Sequence, residues 1–417
     1  MTVNTVEKGI GDMTLLASRG WDLLAEDVSL PAAVLSIPAI DNNIRWMQSF
    51  AEQAGVKLAP HGKTTMAPDL FTKQLEMGCW AMSLATVPQI IAARRAGFSR
   101  LIMANQLVGR RSFEQIAHLL KEKLTEPKQS EPLEFYCFVD SIENANALAE
   151  FFSAAKISLN VLVEIGVKDG RCGCRDNQQV EQLCQHINTL PALNLKGLAF
   201  YEGVIHGGNA AEDVIAFVKQ VKNLAIDLHA KNTFASGETI ITGAGSAWYD
   251  LVAEHLNGLP DDISVVLRPG CYLVHDVGIY QAAQNAVLAR KNLACDIKGA
   301  LVNSLQIWAY VQSVPQPGLA IVGMGKRDVA FDAGLPQPYY TYRPASMKQP
   351  IAADPSWTVS KIMDQHCMMH IPPDSTLRPG DMVSFTTSHP CLTMDKWRCI
   401  GLIDEQFHID DIIETCF

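Results

Sequence analysis

The amino-acid sequence predicts an α/β fold, a (β/α)8 TIM barrel followed by a C-terminal all-β domain. Three observations predict it: eight short apolar, β-prone runs between residues 56 and 270, longer amphipathic segments between those runs, and a change of rhythm after Gly270. Short apolar runs indicate buried strands, and apolar residues at helical spacing indicate amphipathic helices. Eight such units in about 215 residues match the size of a (β/α)8 barrel, although a doubly wound open sheet would give a similar pattern.

The predicted strands alternate with segments such as 87–98 and 210–230, whose apolar residues recur at helical spacing. In chain order the strands are VKLAP (56–60), CWAMSLA (79–85), LIMANQ (101–106), EFYCFVD (134–140), NVLVEIGV (160–167), LKGLAFY (195–201), TIITG (239–243) and ISVVLRP (263–269).

A second domain is predicted after Gly270, because helical periodicity ends there. The β-rich runs 300–314, 319–325, 381–388 and 396–404 are separated by Pro/Gly-bearing turns such as SVPQPG (313–318), GLPQPYY (334–340) and LRPGD (377–381). An earlier strand, AAVLSIP (32–38), precedes the first barrel helix and is expected to pair with this later domain. The predicted division is therefore an N-terminal segment 1–38, a barrel 39–270 and a β domain 271–417.

Composition restricts the class of protein. The 417 residues carry 34 Lys+Arg against 44 Asp+Glu, a formal charge of −10, and 48% of them are hydrophobic, which excludes a disordered chain. No basic run offers a site for nucleic acid or an anionic membrane. Eleven scattered cysteines follow no disulfide framework, and we see neither a signal peptide nor a membrane-spanning stretch. We expect a soluble cytoplasmic protein.

The first candidate for chemistry is Lys63, in the sequence LAPHGKTTMAP (58–68) just after the first predicted strand. Functional residues of (β/α)8 barrels lie on the loops that follow the strands. A lysine in a loop is commonly a solvated surface group. Here a neighbouring glycine admits close approach and flanking prolines restrict the loop, so Lys63 is a candidate for Schiff-base formation.

The second candidate is the loop TGAGS (242–246) after the seventh strand. Gly243 and Gly245 leave backbone N–H groups accessible, and Ser246 is predicted to cap a following helix, an arrangement that favours an anion. The motif alone also fits an ordinary tight turn. Its position favours phosphate, because the loops after strands 7 and 8 form the common phosphate site of such barrels.

The third candidate is the pair His389 and Cys391, separated by Pro390. If this segment is a strand, residues two apart face the same side, and the imidazole and thiolate converge. Two protein ligands suit a catalytic zinc site that water or substrate completes. The spacing also occurs by chance, and cysteine is commonly a small core residue.

A lysine and a phosphate-binding loop in these positions together suggest pyridoxal phosphate. The chain resembles the fold-type III pyridoxal-phosphate enzymes, whose relatives include alanine racemase, and most of all the D-serine dehydratase and D-threonine aldolase group. The resemblance covers nearly the whole chain from about residue 30. It rests on five motifs: PHGKT (60–64), EIGVKDGRCG (164–173), TGAGS (242–246), RPGCYLVHD (268–276) and SHPCLTMDKW (388–397).

The resemblance implies roles for the residues around the cofactor. Lys63 would bind pyridoxal phosphate and then serve as the base at the substrate Cα. Arg171 would approach the ring oxygen, and the alternative is an ion pair with Glu164 or Asp169. Tyr201, at the end of the sixth strand, would face the ring nitrogen, and the alternative is simple packing.

The resemblance also implies a metal and a reaction. Dehydratases of this group bind zinc through His and Cys in the motif that here contains His389 and Cys391, whereas the D-threonine aldolases carry His and Asp. Thiolate favours Zn²⁺, so Cys391 argues for a dehydratase. The implied reaction eliminates water from D-serine, or a related β-hydroxy D-amino acid such as D-threonine or 3-hydroxyaspartate, to give a 2-oxo acid and ammonia.

Several alternatives stay open. The enzyme could be a D-threonine aldolase-type C–C lyase, or the chain a non-catalytic pyridoxal-phosphate binding protein; racemisation would need a second base that we do not identify. Asn105 and Gln106, at the end of the third strand, are candidates for binding the substrate carboxylate. Related enzymes imply a homodimer, in which the metal site faces the partner's Lys63 or lies near the shared interface.

Overall fold

The computed structural model describes residues 6–12, 20–122, 131–290 and 293–417. Of the predicted N-terminal segment 1–38, residues 1–5 and 13–19 lie outside the described residues. The remainder of that segment contains the strands β1 (Val6–Glu7), β2 (Gly11–Asp12), β3 (Trp21–Asp22) and β4 (Ala32–Ser36).

The next eight strands form one parallel sheet, and each overlaps a predicted strand. They are β5 (Lys57–Leu58), β6 (Met82–Leu84), β7 (Arg100–Gln106), β8 (Glu134–Val139), β9 (Leu159–Ile165), β10 (Leu193–Phe200), β11 (Thr239–Gly243) and β12 (Ile263–Leu267). The sheet runs β5-β12-β11-β10-β9-β8-β7-β6. A parallel bridge between His61 and Ser83 joins its two ends, and Ser83 N donates to Pro60 O at 2.9 Å. The predicted barrel is confirmed.

Helices alternate with these strands. They are α1 (Ile37–Ala54), α2 (Pro68–Glu76), α3 (Val87–Arg95), α4 (Arg110–Lys121), α5 (Ile142–Ala154), α6 (Asn177–Ile187), α7 (Ala210–Ala230) and α8 (Tyr249–Leu256). Local signals set their ends: Ser36 caps the first turn of α1, and Gly55 ends that helix with φ 66°. Within the described part of the chain, no helix combines the length and the apolar composition needed to cross a bilayer.

The barrel strands are apolar on both faces because both faces are buried. In β8, Tyr136 and Phe138 point into the barrel interior, where they pack with residues such as Leu162 and Ile240. The alternate residues Phe135 and Cys137 pack in the layer between the sheet and its helices. Burial on both faces explains why these strands read as continuous apolar runs rather than as an alternating pattern.

β1 and β2 pair with each other as a two-stranded sheet, and a second large sheet of eleven strands, which includes β3 and β4, lies beside the barrel strands in the chain. Its further elements are α9 (Ile279–Ala289), β13 (Leu305–Gln316), β14 (Leu319–Val322), β15 (Gln337–Tyr342), β16 (Ile351–Ala352), β17 (Thr358–Ile362), β18 (Cys367–His370), β19 (Met382–Thr386), α10 (Cys391–Met394), β20 (Cys399–Ile403) and β21 (His408–Glu414). Strand β4 lies within this sheet, antiparallel to β13 and parallel to β20. The early strand and the C-terminal strands therefore belong to one layer.

Two expectations about the C-terminal part are corrected. It is mostly β rather than all β, because Asp276 Oδ1 accepts the N–H groups of Gly278 and Tyr280 and so initiates α9. SVPQPG and GLPQPYY are not simple turns, because β13 reaches Gln316 and β15 begins at Gln337. Irregularities in strand pairing near these prolines accommodate residues that cannot donate to a sheet.

Candidate active site

A cavity of about 590 Å³ lies where the loops after the barrel strands meet the loop between β19 and α10. This end of a barrel is where the active sites of this architecture lie. Seven of the eight predicted site residues line the cavity: Lys63, Arg171, Tyr201, Gly245, Ser246, His389 and Cys391. The eighth, Gly243, is not among the lining residues.

Lys63 is exposed in a short 3-10 turn, Gly62–Thr64, directly after β5. A Cβ on Gly62 would lie 2.8 Å from the ring of Phe71, so the turn requires glycine there. His61 precedes it, and its N–H donates to Pro269 O at 3.1 Å, which ties the lysine loop to the loop after β12. Burial, followed by the nearby cations including Lys63, holds the pKa of His61 well below its usual value. A neutral imidazole therefore lies beside the lysine loop.

Arg171 and Tyr201 form one unit on another side of the cavity. The guanidinium carbon of Arg171 lies 4.1 Å from the centroid of the Tyr201 ring, within the range of a cation–π contact. Among the described residues, Arg171 makes this contact rather than an ion pair with Glu164 or Asp169. Burial, followed by the charge of Glu202, raises the pKa of Tyr201, so its phenol remains protonated at neutral pH.

The loop after β11 binds an acidic group of the chain itself. Ala244 N and Gly245 N donate to the two carboxylate oxygens of Glu202 at 3.0 and 2.9 Å. Glu202 is fully buried, and this burial raises its pKa. The loop was expected to bind an anion such as phosphate through its amides. In the structure, these amides bind the Glu202 carboxyl group.

Ser246 does not cap a helix, because α8 begins three residues later at Tyr249. Its Oγ instead accepts the N–H groups of Gly270 and Cys271, at 3.2 and 3.1 Å. These two backbone donors converge at the edge of the cavity, between the loops after β11 and β12. This contact joins the loops after β11 and β12 beside the cavity.

Gly243 has a packing role. It is the last residue of β11 and is buried, and a Cβ there would lie 2.2 Å from the ring of Phe200. Phe200 is itself fully buried and cannot move aside easily. The position of Gly243 therefore does not support its assignment to the cofactor. The Phe200 ring explains why this residue has no side chain.

His389 and Cys391 are not on a strand, which corrects the basis of the prediction. His389 follows β19 in a loop, and Cys391 is the first residue of α10. Both side chains nevertheless line the same cavity. A hydrogen bond with Cys391, followed by one with Asp332, raises the pKa of His389 to about 9. Hydrogen bonds from Cys271, His389 and Thr64 lower the pKa of Cys391, so its sulfur has thiolate character.

The predicted metal-ligand pair lies next to the lysine loop of its own chain. Cys391 Sγ is 3.4 Å from Oγ1 of Thr64, the residue after Lys63. His389 Nδ1 is 2.7 Å from Asp332 Oδ2, which orients the ring and leaves Nε2 for another partner. The expectation that this pair faces a partner's Lys63 or lies near a shared interface stays a prediction, and the contact seen here is with the lysine loop of the same chain.

Four residues of the site were not predicted as such: Asp332, Glu202, Arg268 and Cys271. Asp332 is 57 positions away from His389 in the chain, and no local pattern connects them. The other three lie in or beside predicted motifs, but no spacing rule distinguishes them. Of the two carboxylate-binding candidates, Asn105 lines the cavity, whereas Gln106 donates its amide to Glu164 Oε2 at 2.6 Å.

These residues fit pyridoxal phosphate. Lys63 offers an amine for its aldehyde, Arg171 a permanent cation for its ring oxygen, and Tyr201 a phenol for its ring nitrogen. The converging N–H groups beside Ser246 suit an anionic phosphate. His389 and Cys391 likewise suit a metal ion with open coordination positions, because the Asp332 contact reproduces the usual carboxylate support of a metal-binding histidine.

A parallel barrel with a lysine after its first strand and a covering β domain defines the class of alanine racemase-like pyridoxal-phosphate proteins. The chain belongs to the family described as "Alanine racemase, N-terminal domain", which it matches over residues 35–252. Residues 304–403 match a second family, "Putative serine dehydratase domain". Pyridoxal phosphate is the cofactor expected for this family.

Relatives of the chain are lyases. A D-threonine aldolase from Arthrobacter sp. is 25% identical over 83% of this chain and 81% of its own length. The structure of D-threonine aldolase from Filomicrobium marinum superposes with a TM-score of 0.76 at 22% identity, covering 96% of this chain and 98% of the other. That of D-threo-3-hydroxyaspartate dehydratase from Delftia sp. HT23 gives 0.70 at 16%, covering 95% and 99%. A cysteine-to-alanine variant of this dehydratase is known in a metal-free form.

Proposed function

We propose that the protein is a pyridoxal-phosphate- and metal-dependent lyase that eliminates water from D-serine or a related β-hydroxy D-amino acid. The products would be a 2-oxo acid and ammonia. The observation that carries the proposal is the contact between the two halves of the site: Cys391, of the metal pair, is 3.4 Å from Thr64, the neighbour of Lys63. A substrate held at Lys63 would therefore present its β-carbon close to His389 and Cys391.

When bound, pyridoxal phosphate withdraws electrons from the substrate Cα and makes its proton acidic. Lys63 would hold the cofactor and then, once released, accept the Cα proton with the same amine. Arg171, already stacked on Tyr201, would keep a positive charge near the ring oxygen. Gly270 and Cys271 would orient the phosphate through their backbone N–H groups, which would exchange the Ser246 Oγ acceptor for a phosphate oxygen.

His389 and Cys391 would act on the leaving group through a bound metal ion. Hydroxide is a poor leaving group, and a metal ion held by His389 and Cys391 would supply Lewis-acid assistance to the departure of a β-hydroxyl. The chain's contribution is to hold the imidazole through Asp332 and to keep Cys391 in its thiolate form through its hydrogen bonds.

A D-threonine aldolase-type reaction is the second candidate, and the similarity to the Arthrobacter and Filomicrobium aldolases favours it. In that reaction the Cα–Cβ bond breaks and glycine and an aldehyde result. Cys391 favours elimination, because the resemblance associates His and Cys with dehydratases, and because thiolate selects zinc over the harder ions that suit a carboxylate.

Product analysis tests the proposal directly. The protein, loaded with pyridoxal phosphate and zinc, is incubated separately with D-serine, D-threonine and D-3-hydroxyaspartate, and 2-oxo acid, ammonia, glycine and aldehyde are measured. Oxo acid and ammonia in equal amounts support a dehydratase. Glycine and aldehyde in their place would support the aldolase, and absence of all products with every substrate would refute a lyase.

Variants at Cys391 test the metal. A chelator, or Cys391→Ala, should stop deamination while the visible absorption of the Lys63-bound cofactor persists, with a barrier higher by several kcal/mol, on the order of the contribution of a Lewis acid. Cys391→Asp should retain affinity for a harder metal and shift products away from elimination. Cys295→Ser is the matched control, because Cys295 is exposed and does not line the cavity. Full deamination by Cys391→Ala without metal would remove the main support for the dehydratase.

The proposed assembly is a homodimer. Near the metal loop, Phe331 and Leu392 expose 44% and 40% of their surfaces, an apolar surface that a second copy could cover. Light scattering coupled to size-exclusion chromatography should give about twice the chain mass of 45.7 kDa, and a single-chain mass would refute the dimer. A cytoplasmic location is proposed with it, because the eleven cysteines follow no disulfide framework.

A further inference from the structure

Two thiols meet in the cavity, although 120 residues separate them in the chain. The Sγ atoms of Cys271 and Cys391 are 3.5 Å apart. Cys271 lies in the loop after β12, and Cys391 begins α10, so the contact joins the two domains. Both residues line the cavity, and Cys391 is the more exposed of the two. A small oxidant that enters the cavity therefore reaches Cys391 with a second thiol already in contact.

We propose that Cys271 and Cys391 are a redox-modification site, in which a peroxide converts the pair into a reversible disulfide. The disulfide would take the Cys391 sulfur away from the metal, because one sulfur cannot ligate zinc as a thiolate and be bonded to Cys271 at once. This consequence for the metal rests on the proposed function, whereas formation of the disulfide does not.

The disulfide would form in two steps. Peroxide oxidises the Cys391 thiol to a sulfenic acid and releases one water. The Cys271 thiol then attacks that sulfur, so the S–S bond forms, the S–O bond breaks, and a second water leaves with the thiol proton. Two electrons pass from the two sulfurs to the peroxide oxygens, and a dithiol such as dithiothreitol returns them by thiol–disulfide exchange.

The required movement is small. A disulfide has an S–S distance of about 2.05 Å, so the sulfurs must approach by roughly 1.5 Å from their present separation. Cys271 is held by its backbone N–H on Ser246, at 3.1 Å. Cys391 is the first residue of the four-residue helix α10. His389 is held separately by Asp332, so the closure changes one metal ligand and leaves the other in place.

The test is made on the full chain with pyridoxal phosphate bound. Reduced protein is treated with hydrogen peroxide, with and without saturating zinc, remaining thiols are alkylated, and the digest is analysed by mass spectrometry. We expect a linked pair of peptides containing Cys271 and Cys391, lost on addition of dithiothreitol and suppressed by zinc. Zinc retained by the oxidised protein should fall by more than the roughly 10- to 100-fold that loss of an outer-shell partner costs.

Variants distinguish disulfide formation from over-oxidation of Cys391 and from zinc binding by Cys271. In Cys271→Ser, Cys391 should proceed to the sulfinic acid, which dithiothreitol does not reverse, whereas Cys295→Ser should behave like the parent protein. Over-oxidised Cys391 beside alkylated Cys271 in the parent protein would overturn the inference. Loss of zinc from reduced Cys271→Ser as large as that from Cys391→Ser would also overturn it, since Cys271 would then be a ligand. The linked peptides are measured by mass, so the result does not depend on the protein having lyase activity.

Discussion

Two glycines of the loop after β11 should respond differently to the same substitution. In Gly243→Ala the new Cβ would lie 2.2 Å from the Phe200 ring, about 1.2 Å closer than ordinary contact at 3.4 Å. Phe200 is fully buried against Phe217, so the strain remains in the core. Overpacking of this kind costs about 1–3 kcal/mol, which lowers the melting temperature of a 417-residue chain by roughly 1 to 3 °C.

In Gly245→Ala the nearest atom is Cε2 of Tyr201 at 2.9 Å, so a shift of about 0.5 Å suffices. Tyr201 is only half-buried at the cavity wall and can shift, but the shift disturbs its contact with Arg171. We expect a melting temperature within about 0.5 °C of the parent and an affinity for pyridoxal phosphate lower by on the order of tenfold, or about 1.4 kcal/mol.

The two variants are compared by thermal melting of the apo-protein and by titration with pyridoxal phosphate, followed by visible absorbance. Each glycine serves as the control for the other, because the substitution is identical and the loop is shared. The reasoning is refuted if Gly243→Ala melts like the parent while binding cofactor poorly, or if Gly245→Ala unfolds early and binds cofactor normally.

Three further predictions follow from the site. Borohydride reduction of the cofactor-loaded protein should attach the label to Lys63, and peptide mapping that finds it on another lysine would contradict the assignment. Asp332→Asn should weaken zinc binding about 10- to 100-fold in a chelator competition, because His389 loses its support, and unchanged affinity would exclude that role. Burial lowers the pKa of His275 from 6.5 to about 4, so this imidazole binds a proton more readily in the unfolded chain than in the folded one. The free energy of unfolding, measured with urea, should therefore fall by about 2 kcal/mol between pH 7.5 and pH 5. His275→Asn, which tolerates the left-handed backbone at φ 53°, should reduce this fall, and an identical pH dependence would show that another group causes it.

The barrel could be read from the sequence because its signals are local. Each strand is buried on both faces and flanked by helices, so an unbroken apolar run such as NVLVEIGV is enough to indicate a buried strand. The lysine loop and the metal motif were likewise found from short stretches around Lys63 and Cys391. The rule that loops after barrel strands share one end explains the place of the Lys63 loop, whereas the metal motif reaches the same cavity from the loop between β19 and α10, which that rule does not cover.

The C-terminal sheet was harder to predict. Strands β16, β17 and β18 are short and partly exposed, and β15 contains Pro338, which a sequence pattern assigns to a turn. Pairing with neighbouring strands stabilises these segments, and such pairing comes from distant parts of the chain.

Periodicity and motif depend on near neighbours, and they were enough to predict the barrel, the residue types of the site and the barrel loops that carry Lys63 and Arg171. The contacts among these residues became visible in the folded chain. In the structure, Asp332 contacts His389, and Cys271 contacts Cys391. The amides of Ala244 and Gly245 donate to Glu202. Gly243 leaves room for the Phe200 ring. The physical reason is that hydrogen bonds and van der Waals contacts act over a few ångströms in space, whatever the separation along the chain.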